Sequence, residues 1–534
     1  MKRKLVIHML LIGVALCSFA ACGCGCNAES PVIEPPRAVN VEEITVTQLQ
    51  QGYKEGRFSI TDIVQGYLQR IEAIDRNGPK LNAVIRVNPD ALQIASELDR
   101  EMRAGKVRGP LHGIPVILKD NIDSLDPMPT TAGALVLRES FVTNDSWVAK
   151  KLRAAGAVIL AKANMSEWAN FRANISSSGW SGVGGQTRNP YVLDRNPCGS
   201  SSGSGVAVSA NLCALAIGTE TNGSIVCPAN NNGIVGLKPT VGLVSRSGII
   251  PISSSQDTAG PMGRTVEDVA VCLGLLTGVD ESDSKTAASQ GKYPADYTPF
   301  LKADGLSGKR IGLLKDSGAY HFKVAALLAQ AADYLKSRGA TVVEIEGPKE
   351  GAMEGDSFEV MLYEFKDGLE KYFAGLGGAA PVKTLDELIA FNKADPVELR
   401  YFDQALLEMA RAKGGLDDAK YREALARMLK AARQDGIDRL MDENRLDAIM
   451  APTGSPAWKT DLVDGDHFMG GSSSLAAIAG YPAITVPMGF VDELPVGVSF
   501  FGRAWSEPLL LEIAYAYEQG TKQRRPPKFL AADN

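Results

Sequence analysis

Apolar runs too short to be helices alternate along this chain with helical patterns, and a chain written this way has to build a covered sheet. Between 308 and 346, "KRIGLLK", "VAALLAQAADYLKSRG" and "ATVVEIE" read as strand, helix and strand. "SWVAKKLRAAGAVILAKAN" reads as helix, turn and strand, "LDAIMAP" and "YPAITVPMGF" as strands, and "PLLLEIAYAYEQ" as a closing helix. Residues 45–104 are helical in character: in "SITDIVQGYLQRIEAID", Ile60, Ile63, Val64, Tyr67, Leu68, Ile71 and Ile74 follow a helical spacing behind Ser59. Residues 396–446 read as charged amphipathic helix, and 165–260 are dominated by Gly, Ser, Asn and Thr between apolar runs. The fold class expected is α/β, a body built around a mostly buried sheet.

The length of 534 residues would by itself suggest about three domains. The beginning is unlike the rest. "MKRK" followed by "LVIHMLLIGVAL" has the charge and the short apolar core of an export signal. "FAAC" resembles a bacterial lipoprotein processing site that would place a lipid on Cys22, with ordinary signal cleavage as the alternative. Residues 1–26 are therefore read as a leader and 27–40 as a Pro-rich spacer. The expected location is outside the cytoplasm, periplasmic or membrane-anchored through lipidated Cys22. Four cysteines lie in the leader, and four in the body: Cys198, Cys213, Cys227 and Cys272. The body four have small or apolar neighbours and are expected to be buried thiols rather than disulfides. The net charge of −6, with Lys2, Arg3 and Lys4 in the leader, leaves an acidic body and argues against nucleic acid as a partner. Arg524 and Arg525 read as part of a solvated tail.

Which chemistry do the polar residues allow? His8, His112, His321 and His467 are the histidines available to a Ser-His-Asp hydrolase. "GSSSG" at 199–203 matches the nucleophile elbow of such enzymes, centred on Ser201, but the loop-like "YVLDRNPC" stands where a strand should precede it. "SDSK" at 282–285 lies in a charged loop without a downstream Lys-Thr-Gly. Zinc motifs, P-loops and dinucleotide fingerprints are missing, so no metal and no cofactor is expected. A lysine base remains. Lys119 ends the apolar run "GIPVIL", where burial would disfavour its charge; a lysine snorkelling from a strand end is the ordinary alternative. Lowering a lysine pKa by about three units costs on the order of 4 kcal/mol, so such a site has to be built for it.

"LHGIPVILKDNID", "NPCGSSSGSGVAVSANL", "ALAIGTETNGSIVCPANNNGIVGLKPTVGLVSRSGIIPIS", "QDTAGPMGRTVEDVA" and "GYPAITVPMG" together resemble the amidase signature family, in the family's order, over roughly residues 45–520. The wording "GTETNGSIVCP" is most similar to bacterial peptide amidases, which remove the C-terminal amide of peptides. The resemblance implies a single large domain over 41–525, with a central mixed sheet flanked by helices, a signature core at about 110–270 and a tail at 526–534. It implies a Ser-Ser-Lys triad of Lys119 as base, Ser200 as bridge after a cis peptide bond, and Ser224 as nucleophile, with backbone N–H groups of Thr221, Asn222, Gly223 and Ser224 facing the oxyanion. The substrate class implied is a small-molecule or peptide amide.

The chain departs from the family at three places. Asn222 replaces a usual Gly and is expected to tolerate a left-handed backbone there. Val226 stands where many relatives have Arg, which favours a neutral amide. Cys198 replaces a common Gly and is expected only to pack. Ser201 and Ser202 could support the relay or serve as turn serines, and Asp257 and Arg264 are expected to form a structural pair. Two alternatives to the amidase stand beside it: a Ser-His esterase using His321 or His467, and a catalytically inactive binding protein on the same scaffold. Neither the motifs nor the composition bears on oligomeric state.

Overall fold

The computed structural model describes residues 38–315, 321–348, 351 and 353–532. The leader, Cys22 and the spacer as far as Arg37 lie outside the described residues. Among the described residues thirteen strands are formed: β1 (Val84–Val87), β2 (Pro115–Lys119), β3 (Val158–Ala163), β4 (Trp180–Ser181), β5 (Gly185–Gln186), β6 (Leu215–Glu220), β7 (Val235–Lys238), β8 (Thr258–Gly263), β9 (Arg310–Lys315), β10 (Thr341–Glu346), β11 (Ala448–Pro452), β12 (Ala483–Val491) and β13 (Leu494–Phe501). β4 and β5 make a small ribbon, and the other eleven join in one sheet in the order β1-β3-β2-β6-β8-β7-β12-β13-β11-β9-β10.

The sheet is mixed. β3, β2 and β6 run parallel, as do β11, β9 and β10, while β8, β7, β12 and β13 pair antiparallel. Every residue of β2, β3, β6, β7 and β8 is buried, Lys119, Lys162, Glu220 and Lys238 among them. Helices cover the sheet, so the fold is the α/β single-domain arrangement expected.

The helix Ile60–Arg70 starts at a capping box in which Ser59 accepts from the Asp62 amide and Asp62 accepts from the Ser59 amide. Its Ile60, Ile63, Val64 and Tyr67 are fully buried. The strand–helix–strand reading of 308–346 is realised in β9, the helix Phe322–Ser337 and β10. Among the described residues, no helix is long and apolar enough to cross a membrane.

One expectation about the tail is overturned. Arg524 donates to the Glu43 carboxylate and to the carbonyls of Gly233 and Ser209, and Leu530 bridges to Val192. Arg525 lies over the Phe490 ring. Paired charges and covered rings hold this segment on the body.

Candidate active site

Lys119 is the last residue of β2, and β2 runs parallel to β6, so both strands present their carboxyl ends at one edge. In α/β sheets that edge is where ligands bind. The Lys119 side chain is fully buried, with Nζ 2.7 Å from Ser200 Oγ, 2.8 Å from Thr219 Oγ1 and 3.1 Å from the Thr219 carbonyl. Burial pulls its pKa down to about 7, against the carboxylates of Asp257 and Glu220, which favour the cation. Thr219 Oγ1 also accepts from Asn121 Nδ2 at 3.1 Å, so a fixed hydroxyl positions the amine.

Ser200 sits in the loop that opens the helix Ser202–Ser209, after a cis Gly199–Ser200 peptide bond. Its carbonyl accepts from Ser166 N at 3.1 Å. The helix reaches the sheet because position 203 is Gly: a Cβ there would come within 2.2 Å of the Ala83 carbonyl oxygen and 2.4 Å of that of Asn164. Ser201 Oγ donates to the Thr219 carbonyl and accepts from its amide, while Ser202 Oγ donates to the Cys198 carbonyl at 2.6 Å. These two serines fasten the loop. Ser201 hydrogen-bonds no histidine, since His321 caps the helix Phe322–Ser337 and the largely exposed His467 reaches Asp461. Among the described residues, the histidine that the esterase alternative needs beside Ser201 is not there.

Ser224 lies in the turn between β6 and the helix Val226–Asn231, and its carbonyl accepts from Ser201 N at 3.2 Å. Ser224 is 8% exposed, while Ser200 and Lys119 are at 0%. Glu220 builds the turn: its carboxylate accepts from the amides of Gly223 (2.8 Å), Ile225 (2.7 Å) and Val226 (3.0 Å). It is the single acidic residue in the stretch 218–239, and that isolation was the available signal for it.

Two expectations change here. The Gly223 amide is already engaged by Glu220, which leaves Thr221, Asn222 and Ser224 as the amides that donate to no protein acceptor among the described residues. The left-handed residue of the turn is Gly223, at φ 85°, and not Asn222. Asn222 instead spans to the helix Ser473–Ala479, accepting from Ser473 Oγ at 2.7 Å and donating to Ser474 Oγ at 3.2 Å.

Asp257 and Arg264 are not a pair. Asp257 accepts from Thr221 Oγ1 and from the amides of Ile252 and Ser253, and burial pushes its carboxyl up to about 6. Arg264 donates instead to the carbonyls of Val208, Cys213 and Ile44. The cysteines divide: Cys213 and Cys272 are buried free thiols, as expected, but Cys198 and Cys227 form a disulfide. Apolar neighbours alone do not reveal that two segments 29 residues apart meet. Val226 is buried among Leu475, Ile478 and Phe501 and offers no charge to a substrate. No three His, Cys, Asp or Glu side chains converge as a metal-ligand group among the described residues.

The Amidase family model matches residues 62–511. A probable amidase of Arabidopsis thaliana is 41% identical over 92% of this chain and 93% of its own. The crystal structure of an amidase family protein from Bacillus anthracis superposes with a TM-score of 0.83 at 38% identity, covering 91% of this chain and 93% of that one. The solved native peptide amidase of Stenotrophomonas maltophilia superposes with a TM-score of 0.88 at 53% identity, covering 91% of this chain and 99% of that one. With the family's motifs in order, its sheet reproduced and a buried lysine meeting a serine at the sheet edge, the chain belongs to the amidase signature family and is an amidase, a hydrolase of amide C–N bonds.

Proposed function

We propose that this protein is an exported serine amidase that removes the C-terminal amide of peptides through an acyl-enzyme, with Lys119, Ser200 and Ser224 as its relay. The observation that carries the mechanism is the 2.7 Å contact between Lys119 Nζ and Ser200 Oγ, made by an amine that burial holds at about 7. In the neutral form Nζ–H groups donate to the two oxygens of Thr219, and the lone pair is left for the Ser200 hydroxyl proton. Ser200 Oγ can then take the proton of Ser224 as Ser224 Oγ attacks the amide carbon. The C–N bond breaks as the leaving nitrogen receives that proton back along the relay, releasing ammonia. Water enters by the same route, giving the acid and restoring Ser224. The amides of Thr221, Asn222 and Ser224 are the donors available to the developing oxyanion, and losing one such donor typically costs about 3–4 kcal/mol of barrier.

The peptide-amide substrate is supported by the 53% identity to the Stenotrophomonas peptide amidase and by the neutral, buried Val226. Export is supported by the basic and apolar leader and by the Cys198–Cys227 disulfide, since such bonds persist in oxidising compartments. The test is ammonia release from peptide amides, aliphatic amides and aryl amides, run beside Ser224→Ala. Turnover confined to peptidyl C-terminal amides and abolished in the variant is expected. Equal turnover of simple aliphatic or aryl amides would overturn the peptide assignment. Fractionation of cells, with the mature N-terminus read by mass spectrometry, tests export and any lipid on Cys22.

A further inference from the structure

The Cys198–Cys227 disulfide joins the two segments that the relay needs side by side. Cys198 lies two residues before Ser200, and Cys227 three residues after Ser224. Each half is coupled tightly to its serine. Cys227 N donates to the Gly223 carbonyl at 2.8 Å, and Glu220 holds the amides of Gly223, Ile225 and Val226, so Cys227 and Ser224 move as one turn. On the other side, Cys198 N donates to Asn196 Oδ1 at 2.8 Å and its carbonyl accepts from Ser202 Oγ, which fixes Cys198 within the Ser200 loop.

The backbone at Cys198 adds a separate argument. Its φ is +58°, the left-handed region where glycine is at ease and a side chain costs free energy. A cysteine at such a position has to return something that glycine cannot supply, and the bond to Cys227 is what it supplies. Other ties between the segments are non-covalent: Ser201 N to the Ser224 carbonyl at 3.2 Å, and Asn232 Nδ2 to the Pro197 carbonyl at 2.9 Å.

We infer that this disulfide is a positioning element of the proposed relay, keeping the Ser200 loop and the Ser224 turn side by side and making full turnover depend on an oxidised pair. The inference rests on the relay reading above. Proton transfer between hydroxyls needs hydrogen-bond reach, about 2.6–3.2 Å or one bridging water, and a displacement of about 1 Å can cost on the order of 10²-fold in rate. Cys227 is half-buried, and a small dithiol is the reductant used on the pair. Two electrons and two protons from the dithiol would split the Sγ–Sγ bond into two thiols, while the dithiol closes to its own disulfide.

The test compares oxidised protein, protein reduced with a dithiol, and the double variant Cys198→Gly/Cys227→Ser, in which glycine suits the left-handed backbone and keeps the loop foldable. Three readouts are taken: kcat and KM for ammonia release from an N-acetylated dipeptide amide, the rate at which a fluorophosphonate labels Ser224, and near-UV circular dichroism. Expected in the reduced protein and the double variant is at least a tenfold fall in kcat and in labelling rate, with KM within about twofold and the dichroism retained. Reoxidation should restore the wild-type protein and not the variant. Unchanged kcat and labelling, or a loss that follows the dichroism as the protein unfolds, would overturn the inference. Retained turnover in Ser224→Ala would instead overturn the relay itself, an outcome that the comparison of oxidised and reduced protein cannot produce.

Discussion

Lys119 meets three oxygens and no carboxylate within hydrogen-bond distance among the described residues, which is the setting that keeps an amine neutral. An unburied lysine, with a pKa of about 10.4, would be neutral in only about one molecule in a few thousand at pH 7. At a pKa of about 7 roughly half the molecules carry the free amine. The sign of the pH dependence follows. Protonation removes the base, so kcat/KM should be flat above the Lys119 pKa and fall about tenfold per unit below it, measured as initial ammonia release between pH 5 and 9. Lys119→Met should lose about 10²–10⁴-fold in kcat at every pH. Lys119→Arg should be equally poor, because a guanidinium does not deprotonate and cannot serve as base. A profile centred well above pH 7, or an arginine variant with substantial turnover, would contradict the assignment.

The turn from Glu220 to Val226 shows how one carboxylate can organise an element that has no regular backbone pattern. Three amides converge on Glu220, and hydrogen bonds to a charged group contribute about 1.5–3 kcal/mol each. Glu220→Gln keeps the shape but places an N–H donor against backbone donors, so at least one of the three bonds is lost. The expectation is a fall in kcat of roughly 10²-fold as Ser224 and the oxyanion amides shift, with a smaller change in KM. Steady-state kinetics on folded variant protein decide this, and wild-type kcat would show that the turn holds without its carboxylate.

Elements differ in how far their residues alone give them away. β2, β3, β9, β10, β11 and β12 are rich in apolar or branched residues, and the motifs in their order carried the resemblance that implies the triad. β8 was illegible: "TAGPMG" holds two glycines and a proline, the composition of a loop, yet it pairs centrally between β6 and β7. Its place is set by tertiary packing, since small residues let flanking groups approach. Gly260 is one case, where a Cβ would lie 2.0 Å from the Leu237 carbonyl oxygen. The disulfide was hidden for a related reason: which cysteines meet depends on the β6 crossover, which spacing does not encode.

On the scale of the whole molecule, the helices Ser202–Ser209 and Val226–Asn231, which begin just after the two serines of the proposed relay, are held at both ends. At their near ends lie the Ser201–Ser224 hydrogen bond and the disulfide. At their far ends, Arg524 from the C-terminal segment donates to the carbonyl of Ser209, the last residue of one helix, and to that of Gly233, just beyond the other. Its remaining N–H groups engage Glu43 in the N-terminal part of the body. The segment therefore closes the body around the site without touching the reacting groups, and this separates its effect on stability from its effect on rate. Arg524→Ala leaves two carbonyls without their donor and the Glu43 carboxylate with Asn211 alone, a loss of about 2 kcal/mol. At about 2 cal/mol/K of unfolding entropy per residue, that is a fall of only about 2 °C in Tm for a body of this size. Urea denaturation followed by tryptophan fluorescence is the more sensitive measurement, because the midpoint moves while the slope stays constant. With the near ends still fastened, kcat and KM well below the transition should stay within about twofold of wild type. A variant as stable as wild type, or one that is stable but catalytically slow, would show that the far ends and the relay are not mechanically separate.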